Sequence, residues 1–374
     1  MVDIIRVVTK KQQREFIEFP LRLYRDNPCF VPPLYSDEKK MFRKGFIYAD
    51  TCEMACFNAY RDGKMIGRIQ GILQKASNEK NHEKRIRFNR FDAVNDPEVA
   101  SALFSAVEDW GRSLGMDTIC GPLGFSDLER EGLLVEGFSE LSTFEEQYNA
   151  EYYASLIESL GYEKEVDWNE SKLMPPEDPK DIEKMRQMSD FIMKRYNLYF
   201  GPAKNVNDFI SRYADGLFEL LDTAYNGLYG TVPFSDGMKK LMIDNFRLII
   251  DLKHVAVILD EEDRMVCFGV CFPSIAKAVQ PSQGKLTPAA LLRLLRAVKK
   301  PEIIDLGLIA VAPEYANRGI SSVISGELIR MLQEPGIRYA ETNLNLEDNY
   351  AIQNQWKRFS RVVHKRRRAY VKRL

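Results

Sequence analysis

The chain is poor in histidine and has no paired cysteines. Its histidines number three, and its six cysteines (Cys29, Cys52, Cys56, Cys120, Cys267 and Cys271) never take the C-x-x-C spacing of a zinc site. No metal is expected, and the cysteines read as reduced and structural. Long apolar runs are also missing: none approaches the roughly 18 residues that cross a bilayer. The opening Met1-Val2-Asp3-Ile4-Ile5-Arg6 lacks the layout of a signal peptide, so the expectation is a cytoplasmic protein. Nor is there an excess of charge of either sign. Lys and Arg total 53 against 54 Asp and Glu, a net of −1, which argues against nucleic acid as a partner. One basic run stands out, His364 to Arg368 with Lys372 and Arg373, and it reads as a solvated last strand.

What is present suffices for two cores: 374 residues, 45% apolar and 29% charged. Phe57–Tyr60 and Met65–Leu73 form a hairpin about an Asp62-Gly63 turn. Ile86–Ala93 is a strand, and Asp96-Pro97 opens a helix to Leu114. Asp117–Cys120 is a strand and Tyr152–Leu160 a helix. Three prolines between Met174 and Pro179 then break regular structure and place a boundary, giving domains 1–174 and 181–374. The second half opens with helices around 181–195, 207–222 and 235–250, and then repeats the first. It has a hairpin (His254–Leu259, Met265–Phe272), a helix from Thr287-Pro288, a strand Ile303–Ala312 and a helix from Ile320. A strand Arg338–Leu346, a helix Asn349–Phe359 and a strand Val362–Val371 complete it. Matched elements lie about 200 residues apart, the spacing of a duplicated domain. The fold class is α/β with mixed α+β sheets.

The most informative stretch is Leu306 to Ile324. A hydrophobic strand ends in Ala312-Pro313, a short polar loop turns, and Gly319 opens a helix. Such a loop aims peptide N–H groups, at the positive end of a helix, toward one anion, and glycine lets it approach. These residues resemble the GNAT acyltransferase superfamily, whose acyl-CoA loop reads Gln/Arg-x-x-Gly-x-Gly/Ala after a strand ending Val-x-Pro. Here Ala316 stands for Gln/Arg, Gly319 matches, and Ser321 stands for Gly/Ala. The resemblance implies that Asn317, Arg318, Gly319, Ile320 and Ser321 hold the pyrophosphate of acyl-CoA or acetyl-CoA, and that amides near Val311 and Ala312 hold the pantetheine. It also implies a carboxylate base, with Glu347, Glu341 and Asp305 as candidates, and a helix tyrosine as acid. Trp356 occupies the tyrosine's place and reads as core.

Alternation puts Tyr339, Glu341, Asn343 and Asn345 on one strand face, either solvated or lining a cleft. Asn343, Asn345, Asn349, Tyr148 and Asn149 are the candidate substrate contacts. The first half has no glycine between its third strand and its helix, where Asp96 and Glu98 would repel phosphate, so it is expected to bind no CoA. Its loop from Gly121 to Phe138, with Asp127, Glu129, Glu131 and Glu136, reads as a substrate wall or as a plain surface loop.

Further blocks carry a closer resemblance over almost the whole chain. They include Asn27-Pro28-Cys29-Phe30-Val31-Pro32-Pro33-Leu34, Gly121-Pro122-Leu123-Gly124-Phe125-Ser126, Glu131 to Phe138, Tyr148-Asn149 and Lys365-Arg366-Arg367-Arg368. Together they are similar to a bacterial family of tandem GNAT-like proteins that includes proposed ceramide synthases. That implies an N-acyltransferase using acyl-CoA, or an acyl carrier protein thioester, on a small-molecule or lipid amine. Two rivals stay open. One is a non-catalytic binding protein on a decayed GNAT fold. The other is a peripheral membrane protein using the basic amphipathic helix 287–300 and the basic tail.

Overall fold

The computed structural model describes residues 1–374. The first half contains β1 (Asp3–Arg6), α1 (Lys10–Leu23), α2 (Tyr35–Lys40), β2 (Cys52–Arg61), β3 (Lys64–Gln74), α3 (Lys75–Asn81) and β4 (Arg85–Ala93). It continues with α4 (Pro97–Ser113), β5 (Thr118–Gly121), β6 (Leu133–Glu136), α5 (Tyr153–Ser159) and β7 (Glu163–Met174). The second half contains α6 (Pro179–Arg195), β8 (Tyr199–Phe200), α7 (Val206–Tyr225), α8 (Asp236–Ile249), β9 (Val255–Leu259), β10 (Met265–Pro273) and α9 (Ala276–Val279). After these come α10 (Pro288–Lys299), β11 (Ile303–Val311), α11 (Ile320–Leu332), β12 (Tyr339–Glu341), β13 (Asn345–Leu346), α12 (Tyr350–Trp356) and β14 (Ser360–Arg373).

Local chemistry accounts for several of these boundaries. Asp62 and Gly63 both take positive φ, 52° and 72°, as a two-residue hairpin turn between β2 and β3 requires. Asp96 caps α4 by accepting the Glu98 N–H at 2.9 Å, with Pro97 in the first turn. That helix then buries Val99, Leu103, Phe104 and Val107 on one face against β2 to β5.

All fourteen strands join one sheet, ordered β1-β2-β3-β4-β5-β14-β7-β12-β11-β10-β9-β8. Its centre is an exchange. β14, the last strand of the chain, pairs β5 of the first half. β7, the last strand before the triple-proline break, pairs β12 of the second half. β7 and β14 run antiparallel to each other from Ser360↔Met174 to Val371↔Glu163. The proline-rich break at 174–179 therefore separates two halves that each complete the other's sheet.

The exchange explains why β14 is not a solvated strand, as its basic run suggested. Lys365 and Arg367 are fully buried. Lys365 Nζ lies 2.6 Å from Glu170 and 2.7 Å from Glu341, and Arg367 Nε lies 2.6 Å from Glu170. Burial opposes both cations, but the surrounding carboxylates hold their pKa values above the usual range. Arg366 and Arg368, on the opposite face, pair with Glu136 and Asp167. Glu170 lies on β7 and Glu341 on β12, with Glu146 of the first half 3.6 Å from Arg367, so this ion network ties the two halves together.

Helices cover both faces of the second half. α7 and α8 pack Phe209, Leu217, Leu221 and Met242 against β9 to β11. α6 and α11 pack Ile192, Ile320, Val323 and Ile324 on the other side. All six cysteines are free thiols. No helix is long and apolar enough to cross a membrane.

Candidate functional site

Each half contains one parallel strand pair that starts together and then splays. In the second half β11 and β12 pair only through Ile303↔Tyr339, Ile304↔Ala340 and Asp305↔Glu341. Beyond Asp305, β11 has no neighbour on that side. Its register against β10 slips between Val270 and Cys271, which leaves Gly307 as an extra residue, a bulge. Gly307 has no room for a side chain: a Cβ there would lie 2.4 Å from Phe272 Cε2 and 2.9 Å from the Val270 carbonyl.

The direction of the free backbone groups follows from the ladder. The Ala312 N–H donates to Val266 O at 2.8 Å. By antiparallel alternation, Ile309 and Val311 turn their N–H and C=O groups away from β10, into the splay. The hydroxyl of Tyr225, at the end of α7, donates to Ile309 O at 3.0 Å and confirms that direction. Ala312, whose N–H is engaged by Val266, has no amide to offer a ligand. Val311 does.

At the end of β11 the chain makes a short turn through Pro313–Tyr315, and Gly319, at φ 83°, opens α11. The Arg318 N–H is used by Tyr315 O and the Ser322 N–H by Gly319 O. The N–H groups of Asn317, Gly319, Ile320 and Ser321 bond to nothing in the chain. Orphan donors at a helix start form an anion site. A Cβ on Gly319 would meet Ile192 Cδ1 at 3.0 Å. The Arg318 side chain lies elsewhere: its guanidinium stacks over Tyr196 and Tyr315, at 5.7 and 5.2 Å from the ring centroids. The nearby positive charge is instead Arg358, just after α12, which donates to Ser322 Oγ at 2.6 Å.

Both features open into one cavity of about 1330 Å³ that runs between the halves. At one end it is lined by Asn317, Gly319, Ile320, Ser321 and Arg358, and along its length by Gly307, Ile309, Val311 and Tyr225. Asn343, Asn345, Asn349 and Tyr148 line it as well. Asn345 is held by the Trp356 indole N–H at 2.7 Å, and Asn349 caps α12 through the Ile352 N–H. Asn149 is not exposed to the cavity; it is buried and bonds both the N–H and the C=O of Leu134.

The three candidate bases separate in space. Glu347 points outward, half exposed, and holds Lys164 and the Asp167 N–H. Asp305 and Glu341 sit side by side, buried behind the cavity wall. Burial first, then the charge of Glu341, pushes the Asp305 carboxyl well above the usual range. Burial also opposes the Glu341 anion, but Lys365 and His364 outweigh it and hold its pKa below the usual range.

Carboxylates that do line the cavity include Asp127, Glu129 and Glu131, from the loop after β5, and Glu145 and Glu146, from the stretch between β6 and α5; Asp37, Glu38, Asp92 and Glu327 line it elsewhere. Glu136 instead lies on the surface beside Arg366. Glu131 is buried with no hydrogen bond or ion pair, and burial with the charges of Asp127 and Glu146 pushes its pKa well up. Burial pushes Glu146 up to about 8, although Arg367 draws it down. One of its oxygens has no hydrogen-bond donor. Glu145, Glu146, Tyr225 and Arg358 carry no sequence signal of their own, because only tertiary packing brings them to the splay.

Much of the remaining lining is apolar, with Arg68, Arg90, Arg130, Glu38 and Asp92 among the charged exceptions. Phe30 and Leu34 come from the first half, Leu241, Met242 and Phe246 from α8, and Leu291, Leu294 and Leu295 from the α10 region. The corresponding splay in the first half is shut. β4 and β5 part after Arg87↔Cys120, but the Leu123 N–H bonds Phe88 O at 3.0 Å and fills the gap. The start of α4 is capped by Asp96 and has no free donor cluster of the α11 kind.

No protein-family model matches the chain. It is 28% identical over 391 residues to Protein YghO of Escherichia coli K12, covering 98% of this chain and 94% of that one. It is also 28% identical over 305 residues to a protein named bacterial ceramide synthase from Caulobacter vibrioides, covering 80% and 77%. Among solved structures, a tandem GNAT protein from the clavulanic acid biosynthesis pathway superposes with a TM-score of 0.57. That match has 11% identity and covers 100% of this chain and 98% of that one. The fold is thus that of two tandem GNAT-like domains, and the resemblance read from the sequence reappears in both kinds of comparison.

Proposed function

We propose that this protein is an N-acyltransferase that moves an acyl group from acyl-CoA, or an equivalent carrier thioester, to an amine borne by an apolar small molecule. The observation that carries the reading is the row of unpaired peptide N–H groups. Asn317, Gly319, Ile320 and Ser321 at the head of α11 continue into the open edge of β11 at Val311, beyond which Tyr225 engages the N–H and C=O of Ile309. The first group suits a pyrophosphate, with Arg358 beside it, and the second suits the amide-bearing pantetheine arm. Gly319 and Gly307 keep side chains out of that path. The thioester supplies an activated acyl carbon; the amine nitrogen bonds to it as the carbon–sulfur bond breaks.

The acid-lined wall is where the amine belongs. Glu131 and Glu145, whose pKa values burial raises, offer hydrogen-bond acceptors to the amine, and Glu146, with its pKa near 8, is suited to take the proton that frees the nitrogen lone pair. Tyr225, whose hydroxyl touches Ile309, is placed to return a proton to the departing sulfur. In this reading Asp305, Glu341 and Lys365 are positioning groups that fix where β11 and β12 part. The apolar pouch beneath α8 and α10 accommodates an alkyl chain. A ceramide is an N-acylated lipid amine, so the name of the Caulobacter relative agrees in kind.

A second reading, a ligand-binding protein without turnover, is favoured by Trp356 at the tyrosine position and by Ala316 in the loop. Thiol release decides between the two. The purified chain is mixed with acyl-CoAs of increasing length and a panel of alkyl amines. Amine-dependent release of free CoA thiol supports transfer; CoA binding without release under any pairing supports the second reading.

A further inference from the structure

We propose that the outward face of α10, with the end of α8, is a docking surface for an anionic lipid bilayer set around the mouth of the cavity. Of α10 only Ala290 is buried. Leu292 is 70% exposed, Leu295 56% and Leu291 47%, with Leu286 just before the helix at 42%. Leu248 of α8, also 70% exposed, joins the same patch, since its neighbour Ile249 packs in one cluster with Leu294 of α10. All of these except Leu292 also line the cavity.

The surrounding charge is of one sign. Residues 274–300 hold Lys277, Lys285, Arg293, Arg296, Lys299 and Lys300 and no acid. Of these only Lys277 has an ion pair, to Glu302 at 3.9 Å. Helices elsewhere on the surface pair their cations along the helix, as Lys184 does with Asp181 and Arg330 with Glu327. Exposed leucines ringed by unpaired cations fit a surface of negative headgroups over acyl chains. A second copy of the chain fits poorly, because a two-fold contact would set these cations against each other. The inference is independent of acyl transfer: a chain that fails to bind CoA would still bind vesicles.

The test is co-sedimentation of the full chain with phosphatidylglycerol-containing vesicles and with pure phosphatidylcholine vesicles, at low and high salt. The wild type is expected to pellet with the anionic vesicles, and less so as salt rises. Arg296→Glu with Lys299→Glu, and separately Leu292→Asp, are each expected to lower partitioning about tenfold or more while leaving the thermal midpoint unchanged. The proposal is overturned if the wild type stays in the supernatant, or if both variants pellet as it does. It is also overturned if Leu292→Asp abolishes only self-association in sedimentation equilibrium, with no vesicle binding by the wild type.

Discussion

Replacing Gly319 by glutamate puts a carboxylate where the anion site needs bare backbone. The substitution has two separable costs. The first is conformational: residue 319 sits at φ 83°, and a side chain there costs about 1–2 kcal/mol of folding stability. The new Cβ also comes within 3.0 Å of Ile192 Cδ1, the movable end of a side chain. The second is electrostatic. A charge about 5 Å from a bound phosphate, at an effective dielectric of about 20, opposes binding by about 3 kcal/mol, or roughly a hundredfold in Kd. Gly319→Ala carries the first cost without the second. Isothermal calorimetry with CoA should show a loss of about two orders of magnitude for Gly319→Glu and of only a few-fold for Gly319→Ala. Pantetheine, which lacks the pyrophosphate, should bind both alike. Unchanged CoA affinity in Gly319→Glu, or equal losses in the two variants, would refute the placement of the anion.

Other consequences follow from the same geometry. Glu146 acts as base only when ionised, so the rate should rise with pH through about 8, and Glu146→Gln should flatten that profile and slow turnover at least tenfold. Its stability effect has the opposite sign. A carboxyl whose pKa rises from 4.5 to about 8 on folding binds more protons in the native state. It therefore stabilises fully below 4.5 and loses that contribution as pH climbs through about 8, at most about 1.4 kcal/mol per unit; urea titrations across that window should show the decline in wild type and not in Glu146→Gln. Tyr225→Phe should lower kcat about tenfold or more while the KM for the thioester moves only a few-fold, and an unchanged kcat would remove Tyr225 from the proton path. Arg367→Met removes one of the two cations at the buried Glu170, leaving Lys365 alone against Glu170 and Glu341, and should cost about 3–5 kcal/mol in the urea unfolding free energy; a loss under about 1 kcal/mol would mean that the ion network does not hold the exchanged strands.

Much of the architecture was legible in the sequence because it is written in local signals. The two hairpins, the helix beginning at Pro97 and the glycine-opened α11 all rest on turn and cap residues. β7 was not legible. Its run Glu163 to Met174 places charge on both faces, a pattern no isolated strand should bury. It makes sense only once Lys365 and Arg367 arrive opposite Glu170 from the far end of the chain. The same pairing turned the basic tail from an apparent solvated edge into the centre of the sheet. α1 was missed within a proline- and aromatic-rich opening, yet Thr9 and Gln12 form its capping box and Pro20 is tolerated near its end.

The site divides in the same way. The loop 317–321 was readable from a strand, a proline and a glycine in order. The acids were legible only in part. The candidate bases Glu341 and Asp305 face the ion network behind the wall, whereas the acidic loop after β5, readable as a substrate wall, does bring Asp127, Glu129 and Glu131 to the cavity. Glu145 and Glu146 are revealed only by the docking of the halves.

The most direct test of the central claim is amide hydrogen exchange, residue by residue, with and without CoA. Slower exchange at Asn317, Gly319, Ile320, Ser321 and Val311, with β4 and the start of α4 unchanged, is the predicted result. Exchange at those five amides that ignores CoA, or protection that appears in the first half instead, would contradict it.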